Sequence, residues 1–144
     1  VYENKSRGLN QLKLRIMINK LEKYFIGTGE VKGFVFSLVK ESHNAYLYRV
    51  QHNLGTDNFY YEVFLKQTIA LCLDFVTKQF SQTEFKEVYP KSEAFGNCAW
   101  TFRDSERAKS KFYELTQEAR INSLLSYDIK LATQRLKESK SKVD

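Results

Sequence analysis

The stretch FVFSLVKESHNAYLYRV, residues 34–50, decides the fold. Phe34, Phe36 and Leu38 alternate with Val35 and Ser37, and after the polar Glu41-Ser42-His43-Asn44 the alternation resumes as Tyr46, Tyr48 and Val50 against Leu47 and Arg49. A period of two places alternate side chains on opposite faces of a strand, so two such runs about a short polar turn predict an antiparallel hairpin. Leu54-Gly55-Thr56-Asp57-Asn58 then marks a further turn, and Phe59, Tyr61, Val63 and Leu65 line one face of a third strand. Ile69, Leu71, Leu73 and Phe75 continue the pattern into a fourth, with Asp74 pointing the other way. Connections this short cannot carry a parallel crossover, so the strands are expected to form an antiparallel meander.

Residues 80–97 are less regular. Ser81 with Glu84 fits a capping box that would open a helical turn, while Glu84–Tyr89 also suits a short strand, and Pro90 ends either. Gly96 introduces Cys98-Ala99-Trp100-Thr101-Phe102, an aromatic and β-branched run that predicts the last strand.

Helical spacing appears on both sides of this β-rich region. In LNQLKLRIMINKLEKYF, residues 9–25, Leu9, Leu12 and Ile16 form one stripe and Leu14, Met17, Leu21 and Phe25 a neighbouring one, which predicts an amphipathic helix stopped at Gly27-Thr28-Gly29. Met17-Ile18-Asn19-Lys20-Leu21-Glu22 also reads as an initiator context, leaving residues 1–16 as either an extension or translated upstream sequence. After Gly96 the chain has neither Gly nor Pro, and Asp104 is placed to cap a helix with Glu106 in its first turn. Ala108, Phe112, Leu115 and Ala119 make one stripe, and Leu125, Ile129, Ala132 and Leu136 another. The step between them is out of phase, and Asn122-Ser123 are weak helix formers there, which predicts two helices or one bent helix with a break near 120–123. The expected architecture is one α+β domain over 1–144: a helical basic segment at 1–27, a β-rich core of about five strands at 31–102, and a C-terminal helix or helix pair at 104–138.

Composition narrows the function classes. With 42% hydrophobic and 28% charged residues, the chain is ordinary for a soluble domain and lacks the run of ~18 apolar residues needed for a membrane helix. No secretion-signal pattern is visible, so the cytoplasm is the expected compartment and no membrane partner is expected. Cys72 and Cys98 sit in apolar segments and read as small buried hydrophobes, and His43 and His52 read as solvated loop residues without the neighbours that zinc needs. No metal or cofactor is implied. The glycines match no phosphate-cradling loop.

Two enzymatic alternatives remain on residue type. Asp74 followed by Glu84-x-Lys86 resembles the order of a metal-dependent nuclease site, in which carboxylates hold a divalent cation and a lysine orients the attacking water. A metal-free ribonuclease of the toxin kind would draw on Tyr60, Tyr61, Lys66 and Arg103 instead.

Charge carries the leading expectation. The net charge of +6 divides into +4 over residues 1–27, −1 over 28–102 and +3 over 103–144, while 15 of the 21 aromatic residues lie in the near-neutral middle. Lys13, Arg15, Lys20 and Lys23 at one end, with Arg103, Arg107, Lys109 and Lys111 at the other, are candidates for neutralising phosphates. This favours a non-enzymatic protein that binds nucleic acid, RNA ahead of DNA, or an acidic nucleoprotein partner. A homodimeric accessory protein paired through residues 121–136 is the alternative.

The run EFKEVYPKSEAFGNCAWTFRDSERAKSKFYEL, residues 84–115, resembles small uncharacterised proteins of Bacteroidetes-type mobile elements and phages. Tyr89-Pro90-Lys91, Phe95-Gly96, Ala99-Trp100-Thr101-Phe102 and the helix with Phe112 and Leu115 carry the similarity. The resemblance implies a context in which small proteins act on host machinery, including anti-CRISPR inhibitors of RNA-guided nucleases that work by occlusion.

Overall fold

A computed structural model describes residues 15–52 and 58–142. The chain is α+β, with eight strands in two sheets and one C-terminal helix among the described residues. They group into two compact units: one holds the described residues up to Glu22 with Lys66–Pro90, the other Lys23–Leu65 with the chain from Lys91 onward.

The larger unit is built on a five-stranded antiparallel sheet. It contains β2 (Tyr24–Ile26), β3 (Phe34–Glu41), β4 (Ala45–His52), β5 (Phe59–Leu65) and β8 (Ala99–Phe102), in the order β2-β3-β4-β5-β8. The expected hairpin is β3–β4. Its turn is held by Ser42, whose hydroxyl accepts the backbone N–H of Ala45 at 3.1 Å and donates to Asn44 Oδ1 at 2.9 Å. A register shift between Leu38 and Lys40 bulges Val39 out of the ladder, leaving it exposed.

Pairing of Leu47 with Val63 and of Val63 with Trp100 assigns the two faces of this sheet. Ala45, Leu47 and Val63 pack against the C-terminal helix α1 (Ser105–Ser141) through Ala108, Phe112 and Leu115, with Tyr61, Leu65, Trp100 and Phe102 around them. The opposite face is an aromatic array. Phe25 stacks on Phe36 at 4.6 Å, Tyr48 stacks on Phe64 at 5.6 Å, and Tyr46 leans on both Tyr48 and Phe64. Two positions need glycine: a Cβ on Gly27 would run into the Val31 carbonyl, and Gly96, with open space around it, takes φ of 94°, where other residues are strained.

The smaller unit contains β1 (Met17–Asn19), β6 (Thr68–Asp74) and β7 (Gln79–Glu87), in the order β1-β7-β6. β6 and β7 form an antiparallel hairpin, and β1 runs parallel to β7 with Met17 opposite Glu84. Beyond β1, the Leu21 N–H donates to Glu87 Oε1 at 3.0 Å, and Lys66 lies 3.9 Å from the other oxygen of that carboxylate.

Several expectations are corrected. The helix at 9–25 is not formed over its described part: Met17–Asn19 and Tyr24–Ile26 are strands, because pairing with β7 and β3 supplies hydrogen bonds that outweigh a weak helical pattern. Residues 9–14 of that helix, and Lys13 with them, lie outside the described residues. The fourth strand does not extend the meander. It turns back on 79–87 in a second sheet, and β8 takes the place beside β5. Of the expected C-terminal helix or helix pair, the single helix is found: it runs for 37 residues through Asn122-Ser123, without the break expected near 120–123. Asp104 does cap it, accepting the Glu106 N–H at 3.0 Å. Cys72, expected in a core, is exposed, and Cys98 is half-buried. No helix among the described residues is long and apolar enough to cross a membrane.

Candidate nucleic-acid interface

The end of the five-stranded sheet nearest the β4–β5 connection carries the site. Phe34 pairs with His52 across β3 and β4, Tyr60 pairs with Val50 on β5, and Thr101 pairs with Glu62 on β8. With side chains alternating along each strand, Phe34, His52, Tyr60 and Thr101 share the aromatic face, and Arg103 reaches it one residue after the last β8 pair, Phe102 with Tyr61. These five side chains, with Asn58 and Phe59 at the rim, enclose a cleft of about 330 Å³. This is the small end of the range for ligand sites.

The walls are aromatic and the polar groups few. The Phe34 ring meets His52 edge-on at 5.0 Å and Tyr60 at 6.3 Å. Phe59 is 42% exposed, and the Arg49 guanidinium, on the strand face shared with Tyr61, lies 4.1 Å from the centre of its ring. Tyr60 is held by Glu62, a carboxylate only 3% exposed on the same strand face. Burial, the nearby Glu62 charge and the hydrogen bond to that carboxylate push the Tyr60 phenol up to about 12, so it is a fixed donor at neutral pH. Among the described residues none that lines the cleft is acidic, and Arg103 has no ion pair there. Ring surfaces to stack on, a guanidinium for phosphate, and the amide and hydroxyl of Asn58 and Thr101 suit one nucleotide unit of a single strand.

The other basic candidates are not gathered here. Arg15 and Lys20 are exposed around β1 in the smaller unit, and Lys23 is exposed just before β2, its carbonyl accepting the Leu38 N–H at 2.7 Å. On α1, Lys109 pairs with Glu106 at 3.7 Å and Lys111 with Glu114 at 3.2 Å. Lys111 also sits 4.2 Å from the Trp100 ring centre. Arg107 lines a shallow groove with Phe102, Ser110 and both of those glutamates, so the groove has mixed charge. Of the seven candidates among the described residues, Arg103 alone lines the aromatic cleft.

The nuclease residues are dispersed along one hairpin. Asp74 pairs with Gln79 at its tip, whereas Glu84 pairs with Met17 five residues further along β7. That separation is ~17 Å at strand rise. Asp74 instead accepts the N–H groups of Val76 at 2.9 Å and Thr77 at 3.4 Å, bonds that hold its carboxyl below the usual range. Among the described residues no cluster of three His, Cys, Asp or Glu is placed to hold a metal. Ser81 does bind the Glu84 N–H at 2.9 Å as a capping box would, but within a strand.

His52 and Phe34 were missed as site residues by sequence reasoning, although the signal existed. Extending the Tyr46-Tyr48-Val50 alternation by one step places His52 on the same face, at the strand end rather than in the turn. Tyr60 and Tyr61 divide as neighbouring strand residues must: Tyr61 packs toward the helix-side core and Tyr60 lines the cleft. No family model, curated protein or solved structure matches the chain.

Proposed function

We propose that this protein binds single-stranded nucleic acid, RNA ahead of DNA, through the cleft at the end of the five-stranded sheet. One observation carries the reading: Arg103 is brought to a cleft walled by Phe34, Tyr60 and His52, with Phe59 at its rim. A base stacks on exposed aromatic surface while the guanidinium takes a neighbouring phosphate, a combination that tolerates many sequences. The role is non-enzymatic, and occupation of the strand blocks access by other proteins. The resemblance of residues 84–115 to mobile-element proteins makes the guide RNA of a defence nuclease the first nucleoprotein context to try.

Amide chemical shifts of the full chain, followed as a short single-stranded RNA is added, test the placement. Shifts concentrated at Phe34, His52, Tyr60, Thr101 and Arg103 support it. Shifts confined to 15–23 or 107–111 move binding to the other basic segments and contradict it.

A further inference from the structure

The C-terminal half of α1 is covered by nothing among the described residues. Ala108, Phe112 and Leu115 are buried against the sheet, but from Arg120 to Ser141 every residue is exposed except the half-buried Leu131. This half nevertheless carries Ile121, Leu125, Ile129 and Leu136, each more than half exposed. At about 100° per residue, the stripe through Leu125, Ile129, Ala132 and Leu136 is rotated by roughly 100° from the docked one, so the same sheet cannot cover both. Most helical stability in proteins comes from packing of an apolar face, and this half of the helix has no such packing among the described residues.

We infer that this face pairs with the same face of a second copy of the chain, the two helices running antiparallel about a two-fold axis near residues 130–131. The 4-3-4 spacing is that of a coiled-coil seam, with Leu125 and Ala132 alternating with Ile129 and Leu136. In the antiparallel register Leu125 faces Leu136 of the partner subunit and Ile129 faces Ala132 of the partner subunit, so large and small side chains interlock. The axis falls at the midpoint of the exposed half, and each copy therefore covers the whole bare segment of the other.

Charge complementarity selects this register. Asp128 and Arg135 flank the seam on one side, seven residues apart, and antiparallel pairing sets Asp128 beside the partner subunit's Arg135 twice by symmetry. Ser126 and Thr133 flank the other side, so no like charges oppose there. Parallel pairing places Asp128 and Arg135 opposite Thr133 and Lys140 instead, and leaves neither with an opposite charge.

Sedimentation equilibrium of the full chain over micromolar to hundred-micromolar concentrations tests the inference. A concentration-dependent dimer is expected, abolished by Ile129→Asp with the circular dichroism of the sheet retained. Asp128→Arg and Arg135→Asp singly weaken association by about tenfold, and the two together restore it. A monomer throughout the range assigns the stripe to another occupant and overturns the inference. A dimer indifferent to Ile129→Asp, or a double charge swap that fails to restore pairing, overturns it equally.

Discussion

The amide of Asn44 donates to the carbonyl of Leu115 at 3.0 Å, joining the tip of the β3–β4 hairpin to the middle of the docked helix. The same turn uses Ser42 to hold Asn44 Oδ1, so one side chain completes the hairpin and anchors the helix at once. Asn44→Ala is expected to lower unfolding stability by about 1–2 kcal/mol, more than a surface substitution would, and urea denaturation checks it. A loss below ~0.5 kcal/mol contradicts the anchoring role.

The two halves of α1 are expected to respond very differently to truncation. Phe112→Ala empties a position that is 4% exposed and should cost ~3–5 kcal/mol, whereas Lys130→Ala on the exposed half should change stability by ~0.5 kcal/mol or less. Thermal unfolding of both variants at one protein concentration measures the contrast.

Tyr60 predicts an alkaline limit to stability. Its phenol is raised from 10.0 to about 12 in the folded protein, so between these values the folded state retains a proton that the unfolded state has lost. Stability from this group is fully present below pH 10 and is lost as pH rises through about 12. Tyr60→Phe should flatten that part of the pH–stability curve. An unchanged slope argues against a phenol raised by burial and Glu62.

At the tip of the β6–β7 hairpin, Asp74 is expected to act as a turn residue. Its carboxyl is held below 3.8 by the N–H groups of Val76 and Thr77, so the bonds persist above that value and are lost as pH falls through the lowered one. Amide shifts of Val76 and Thr77 should follow the titration, and Asp74→Ala should abolish the effect. No cleavage of RNA or DNA is expected in magnesium or manganese. Cleavage removed by Asp74→Ala or Lys86→Ala contradicts the binding account.

How much was legible depended on whether the determining interaction was local. The β3–β4 hairpin, β5, β8 and the Asp104 cap all follow from period, turn chemistry and capping, and Phe59–Leu65 lies where the alternation placed it. The β6–β7 hairpin was missed because its left-handed turn position is filled by Lys78, at φ of 54°, rather than by the glycine or asparagine that announces such turns. The strands at 17–19 and 24–26 depend on partners 67 and 9–13 residues away, which leave no local mark. The slip at Ala119–Leu125 was real, but it changes the face of the helix rather than ending it. For the site, charge counting named Arg103, while the cleft that distinguishes it from the six other described basic candidates depends on pairing across β3, β4, β5 and β8.

The salt dependence of RNA affinity, measured by fluorescence anisotropy with a labelled single strand, tests the central claim most directly. The native chain should bind at low salt and weaken as salt rises. Arg103→Ala should reduce affinity by about tenfold and make the logarithmic salt slope shallower by ~0.7, the release expected for one phosphate contact on a single strand. No binding at low salt, or binding unaffected by both Arg103→Ala and Tyr60→Ala, would contradict the account.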